Sequence, residues 1–328
     1  MKFVDFIGNE KIKEQLEYLN ASGRFPHAII IEGEEGLGKR TLAREIALNL
    51  FCRNEDVSPC RACAQCSKVI KRIHPDIYEY SASGSARSFH VDVIRDIKND
   101  VIMQPNEANY KIYILGNCQG MSESAQNAIL KVLEEPPEYA VFILTVTTKS
   151  ALLETVLSRS VVITLEGVNS AKAADYICSK FDEIDYNTAI NAVSVWNGNI
   201  GKAIESINDG KLSKISSIAD DICSALLSDN EYDLLKVCSV FEKDRETLVS
   251  VMNYLKTIFR DALLLSKNSD ILSAHEENVK MIASRFSKDK ILKLIKTCDE
   301  IRVIAQKNGN NALLITKVCY EFRRSQGR

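Results

Sequence analysis

Over the first 165 residues, short apolar runs alternate with stretches whose apolar residues recur every three or four positions. Ala28-Ile29-Ile30-Ile31, Lys111-Ile112-Tyr113-Ile114-Leu115, Val141 to Val146 and Val161-Val162-Ile163-Thr164-Leu165 are runs of strand length with almost no polar alternation. Such runs suit parallel strands covered on both faces. Asp76 to Ser81 reads as a further strand, and Ser81 to Ser88, small and polar, as a loop. Between the runs lie helical spacings. Asn9 to Leu19 is one. Leu42, Ile46 and Leu50, widened by Ala43, Ala47 and Phe51, form a second stripe. Val91 to Met103 carries Val93, Ile94, Ile97 and Val101 on one face. Ser122 is a suitable N-cap for a helix through Ala125, Ala128, Ile129 and Val132 to Leu133, which Pro136-Pro137 stops. Ser150 to Leu157 reads as one more helix. This alternation predicts an α/β domain, a parallel sheet flanked by helices, over residues 1–165.

From about residue 166 the strand pattern disappears. Residues 168–209 read as small helices, one starting after Trp196-Asn197-Gly198-Asn199. Residues 211–328 continue as helix, with Leu234, Val237, Cys238 and Phe241 on one face and Leu248, Val251, Leu255 and Ile258 on another. Ile291, Leu292, Leu294 and Ile295 extend the pattern, and all these stripes are read as ordinary helical core. The expected division is 1–165, a small all-α domain at 166–209 and a larger all-α domain at 210–328.

Composition narrows the function classes. The chain has 328 residues, 45% of them apolar and 26% charged, with a net charge of −2. No global basic field is available to hold nucleic acid. No run approaches the roughly 18 apolar residues of a membrane span. Met-Lys-Phe-Val-Asp-Phe leads into charge and not into an apolar signal core. A cytoplasmic protein with no membrane partner is expected.

The apolar run at 28–31 leads into Gly33-Glu34-Glu35-Gly36-Leu37-Gly38-Lys39-Arg40-Thr41. Glycines at this spacing let backbone N–H groups close around phosphates, and a lysine neutralises the outer ones. Strand, glycine loop and helix in succession are the context such a loop requires, which a chance glycine turn lacks. Gly33, Gly36, Gly38, Lys39 and Thr41 are the candidate phosphate-binding residues. The hydroxyl that should follow the lysine and hold Mg²⁺ is missing, because Arg40 stands there and a guanidinium only donates. Thr41 comes one residue later, about 100° around the helix. The strand at 111–115 runs into Gly116-Asn117-Cys118, where an ATPase of this type carries metal-binding acids. Neither Gly116 nor Asn117 is a carboxylate, and Cys118 reads as a packed small apolar residue.

Ten cysteines are many, and four of them cluster as Cys52-x₇-Cys60-x₂-Cys63-x₂-Cys66, within fifteen residues. Four thiolates so placed match a tetrahedral Zn²⁺ site with no open position, hence structural and not catalytic. Free thiols are the plainer alternative. His74 is a spare ligand by type, though His74-Pro75-Asp76 reads better as a turn into a strand.

These residues, taken in order, resemble a known family. His27-Ala28 precedes the glycine loop, and the four cysteines and His74-Pro75-Asp76 follow it. Then come Gln126-Asn127-Ala128-Ile129-Leu130-Lys131, Leu133-Glu134-Glu135-Pro136-Pro137 and Leu157-Ser158-Arg159-Ser160. The series is similar to the AAA+ clamp-loader subunits of bacterial DNA polymerase III, densely over residues 1–165. The resemblance implies an AAA+ domain with a zinc module at about 52–66, a helical lid at 166–209 and a helical collar at 210–328. Within the family, the ATP-hydrolysing motors (tau/gamma) need the Mg²⁺ hydroxyl, an Asp-Glu pair and a lid arginine. Arg40, Gly116, Asn117 and Gly201 stand in those places, which favours the delta-prime, or stator, branch. Arg159 would then act in trans as an arginine finger on a neighbouring motor's nucleotide, in a motif that ends here in Ser160. Without the family, an arginine closing a helix end is the simpler reading. The implied partners are tau/gamma and delta subunits, with the sliding clamp and primer-template DNA reached through the complex. ATP or ADP binding is left open, and hydrolysis is not expected. An independent nucleotide hydrolase and a zinc-containing nucleic-acid module are the other classes, the latter disfavoured by the net charge.

Overall fold

In the computed structural model, residues 1–54, 57–81, 91–228, 230–242, 244–265, 276–306 and 311–326 are described. The expected loop at 81–88 lies almost wholly outside them. The chain divides into two compact units, Met1–Gly167 and Val168–Arg328.

The first unit opens with α1 (Glu10–Ala21), β1 (Ala28–Glu32), α2 (Lys39–Phe51) and α3 (Ala64–Ile70). It continues with β2 (Ile77–Ser81), α4 (Val91–Asp100), β3 (Lys111–Gly116), α5 (Glu123–Glu134), β4 (Ala140–Val146), α6 (Glu154–Leu157) and β5 (Val161–Thr164). The strands form one parallel sheet in the order β2-β3-β4-β1-β5. Side-chain alternation along each strand sorts the core into two layers. Ile29, Ile31, Ile112, Ile114, Ile143 and Ile163 pack with Leu16, Leu42, Ile46 and Val69 on one face. Ala28, Ile30, Tyr113, Leu115, Phe142 and Leu144 pack with Ile94, Ile97, Ile129 and Leu133 on the other. On that second face Tyr78, Tyr113 and Phe142 stack across three strands, with centroids 5.2 and 5.0 Å apart.

The helix expected at Ser150–Leu157 is two pieces. A 3₁₀ turn at Lys149–Ala151 and α6 are separated by extended backbone at Leu152 and Leu153. The break is held from outside: Gln126 accepts from the Leu153 amide at 2.7 Å and donates to the carbonyls of Ala151 and Met121. The helix expected to reach Met103 ends at Asp100.

The second unit is helical throughout its described residues. α7 (Ser170–Lys180), α8 (Tyr186–Val195) and α9 (Ile200–Asn208) enclose a small core around Ala173, Ile177, Ala189, Val193 and Ala203. A larger core joins α10 (Lys211–Leu227), α11 (Glu231–Cys238), α12 (Arg245–Leu264), α13 (Glu276–Arg285), α14 (Lys288–Gln306) and α15 (Asn311–Gln326). Asn253 of α12 donates to the Val195 carbonyl at 3.0 Å, tying α8 to the larger bundle. Among the described residues no helix is long and apolar enough to cross a membrane.

Candidate functional site

The glycine loop joins β1 to α2 at the edge of the sheet where the parallel strands end, the usual position for a ligand in an open α/β fold. Gly36 and Gly38 have φ of 91° and 84°, left-handed values that a side chain would oppose. This curl brings Lys39 back over its own loop. Its ammonium donates to the carbonyls of Gly33 at 2.5 Å and Glu34 at 2.8 Å, and the residue is only 8% exposed. A cavity of about 320 Å³ opens beside it, lined by Glu35, Gly36, Gly38, Lys39, Arg40, Thr41, Asn117 and Thr145. Thr41, expected to turn away from the phosphates, still reaches this cavity. Its wall includes the end of β4, where the Thr145 hydroxyl accepts from the Asn117 amide at 3.1 Å.

Of the departures noted in the sequence, Arg40, Gly116 and Asn117 meet at one place. Arg40 leaves the first turn of α2 and donates to the Ser81 hydroxyl at 2.7 Å, at the end of β2. On the way it crosses Gly116, at the end of β3. A Cβ on Gly116 would lie 2.9 Å from Arg40 Nη2, 3.2 Å from Nε and 2.9 Å from Ser81 Oγ. The guanidinium therefore uses the space that a side chain at 116 would need. Asn117 follows in left-handed backbone at φ 62°. Ser81 was not singled out from the sequence, and neither was the role of Gly116 as a seat for Arg40. A glycine closing a strand that is apolar from Ile112 to Leu115 was the available hint. Cys118 is buried, its thiol 3.2 Å from the Leu115 carbonyl and its pKa pushed up to about 12 by burial. It packs as expected.

Beyond α2 the chain makes the cysteine cluster. The sulfurs of Cys52, Cys60, Cys63 and Cys66 all lie within 4.8 Å of one another. Tetrahedral zinc with bonds of about 2.3 Å needs sulfurs roughly 3.8 Å apart, so a small contraction suffices. Backbone amides already point at three of the sulfurs. Cys60 N–H donates to Cys52 at 3.2 Å, Cys63 N–H to Cys60 at 3.4 Å and Cys66 N–H to Cys63 at 3.5 Å. Burial raises the Cys63 pKa, but the Arg53 and Cys66 amides and the neighbouring Cys66 and Cys60 thiols bring it down to about 6, while burial pushes the Cys66 thiol up. Amide donors at closely spaced sulfurs are what four metal-bound thiolates require, and the residues fit a structural zinc. His74 is not a fifth candidate. Its Nε2 lies 2.6 Å from Gln65 Oε1 and its Nδ1 accepts from the Asp76 amide at 3.1 Å. Arg61, inside the cluster loop, pairs with Asp5 at 2.6 Å and with Glu45 of α2, which is 2% exposed. The cluster is thereby anchored to the helix that begins at the phosphate loop.

Arg159 follows the last turn of α6. Its guanidinium donates to the Thr155 carbonyl at 2.9 Å and pairs with Glu134 at 2.9 Å, with the two side chains 36% and 45% exposed. In the free chain it closes a helix end, the simpler of the two readings, yet stays accessible. Gly201 sits in the first turn of α9, in the second unit.

A five-stranded parallel sheet in this order, a phosphate-type loop between its first strand and second helix, and a helical C-terminal unit define an AAA+ protein. Residues 8–169 match the family model described as "DNA polymerase III, delta subunit". The gamma subunit of DNA polymerase III from Buchnera aphidicola (subsp. Acyrthosiphon pisum) is 27% identical over 268 residues, 78% of this chain and 72% of that protein. The tau subunit of Bacillus subtilis is 36% identical over 159 residues, 48% of this chain, and the chain spans only 28% of its length. The delta' subunit of Haemophilus influenzae is 29% identical over 56% of each chain. A solved DNA polymerase III gamma subunit-related protein from Thermotoga maritima is 22% identical and covers 95% of this chain and 99% of its own, at a TM-score of 0.37. Over residues 8–169 the chain is similar to DNA polymerase III clamp-loader subunits of the type that includes tau, gamma and delta-prime.

Proposed function

We propose that this chain is the delta-prime, stator-like subunit of a bacterial DNA polymerase III clamp loader, and that it does not hydrolyse ATP. The observation that carries this reading is the guanidinium of Arg40 lying over Gly116. A phosphate-loop hydrolase places a hydroxyl and acidic side chains around Mg²⁺ at this corner, and the metal and acids position water and phosphate. Here the hydroxyl is replaced by a cation, and that cation fills the volume of the missing acid. Neither position is free to recruit a metal. Phosphate contacts through Lys39 and the loop remain open to the chain.

The stator's own part in catalysis would be lent to a neighbour. Arg159 would leave Glu134 and approach the γ-phosphate bound by an adjacent tau/gamma subunit, stabilising charge in phosphoryl transfer. Residues 166–209 would serve as a lid and 210–328 as a collar joining tau/gamma and delta subunits. Through that complex the chain would help to place a sliding clamp on primer-template DNA, in the cytoplasm. The cysteine cluster would hold one structural Zn²⁺.

The second reading is a hydrolysing motor subunit, favoured by the 36% identity to a tau subunit. ATP turnover separates the two. The purified chain with Mg²⁺ should release no phosphate from ATP above a Lys39→Ala control. Turnover that Lys39→Ala abolishes would reject the stator in favour of the motor. Co-purification with tau/gamma and delta chains tests membership of the complex independently.

A further inference from the structure

A stator that does not hydrolyse ATP has no evident need for a phosphate loop, yet this one retains its curl and its lysine. The cavity against it is lined by two cations, Lys39 and Arg40, and one carboxylate, Glu35. The first amides of α2 have no acceptor within the helix and carry the positive end of its dipole. Arg40 brings a fixed charge and up to five N–H donors to the corner that Mg²⁺ would need. It can do so only because residue 116 lacks a side chain, since a Cβ there would sit 2.9 Å from the guanidinium. Loss of the acid and arrival of the arginine are thus one steric arrangement and not two separate losses. Ser81, accepting at 2.7 Å, holds the guanidinium in that corner while it remains exposed to the cavity.

We infer that the pocket binds the diphosphate moiety of a nucleotide without a divalent cation, the Arg40 guanidinium taking the place of Mg²⁺. Charge decides between metal-bound and metal-free ligand. A bare diphosphate meets two cations and the helix N-terminus, and Arg40 can donate to its oxygens in bidentate fashion. A magnesium-bound diphosphate would carry its metal toward a guanidinium that cannot ligate it, with no carboxylate at 116 or 117 to compensate. Bound nucleotide would brace the loop between β1 and α2 and would not be turned over. This rests on the phosphate-loop part of the function proposed above, and not on the role of Arg159.

The test is isothermal titration of the full chain with ADP and, separately, with pyrophosphate, each in EDTA and in excess Mg²⁺. Binding in EDTA, weakened several-fold by Mg²⁺, is expected. Equal binding of ADP and pyrophosphate would place all recognition on the phosphates, whereas tighter ADP would add the nucleoside; either result keeps the inference. Arg40→Thr should lower affinity in EDTA by about tenfold or more, the loss typical of one charge-assisted contact. Arg40→Lys should recover part of it, with circular dichroism checking the fold of both. Absence of binding by either ligand at millimolar concentration, tighter binding with Mg²⁺, or indifference to Arg40→Thr each overturns the inference. Should the variants fail to fold, the comparison with and without Mg²⁺ on the unaltered chain still decides. Mg²⁺-dependent ATP turnover would instead sink the stator reading, so the two failures are distinct.

Discussion

Replacing Arg159 by alanine separates a helix-end role from a role in trans by the size of two effects. In the free chain the guanidinium makes an exposed ion pair with Glu134 and donates to the Thr155 carbonyl and the Ser158 hydroxyl. Exposed pairs contribute about 0–1 kcal/mol, and a cation at a helix C-terminus about 0.3–1 kcal/mol. Arg159→Ala should therefore cost the isolated chain roughly 1–2 kcal/mol at most. That corresponds to a melting shift of no more than about 5 °C for a protein of this size. An arginine finger contributes about 10³–10⁵ in rate at the site it serves, or about 4–7 kcal/mol of transition-state stabilisation. Scanning calorimetry of the free chain measures the first quantity. Rapid-quench phosphate release from a reconstituted, DNA-stimulated complex measures the second. The expected result is a nearly unchanged melting curve together with loss of one motor site's share of the phosphate burst. Glu134→Ala should match the small stability change and leave the burst in place. An unchanged burst in Arg159→Ala would confine Arg159 to closing its own helix.

Metal analysis of reduced protein should find about one zinc per chain, and Cys63→Ser should lower that occupancy and the melting temperature together. Zinc-free protein of full stability would remove the metal reading. Asp76 should give a pH signature. It is buried and accepts from Asn106 N at 2.5 Å, Asn106 Nδ2 at 3.0 Å, Glu107 N at 2.8 Å and Ala108 N at 2.9 Å. Burial alone would raise its pKa, but these donors outweigh it and hold the carboxyl below its usual range. A depressed native value means that the stabilisation is complete above the ordinary carboxylate pKa, near pH ~4, and fades as pH falls through the native one. Asp76→Asn should thus cost about 1.5–3 kcal/mol at neutral pH in denaturant titrations. The gap to the unaltered protein should close in acid, and a gap independent of pH would contradict the assignment.

Local pattern made most of the first unit legible. Five strands and the helices between them, α3 at Ala64–Ile70 excepted, follow from runs and periods spanning only a few residues, because a side chain's face is set by backbone geometry within one turn or pleat. The break at Leu152-Leu153 did not follow, because its cause is Gln126, on another helix. The region of α7 to α9 was read only as small helices without bounds; their starts are fixed by side-chain caps at Asn169, Asp185 and Asn199, which short apolar stripes do not reveal.

The candidate site divides along the same line. Spacing alone located the glycine loop, Lys39 and the four-cysteine cluster, since in both cases the candidate groups lie within one short stretch of chain. Spacing could also say that positions 40, 116 and 117 carry neither a hydroxyl nor a carboxylate. It could not say that Arg40 would lie over Gly116 and bond Ser81, a partner 41 positions away. Nor could it assign His74 to Gln65, or Arg159 to Glu134 in the free chain. Where a long side chain ends is decided by what the sheet and its helices bring within its reach, and sequence order carries no distance between elements that meet only after folding.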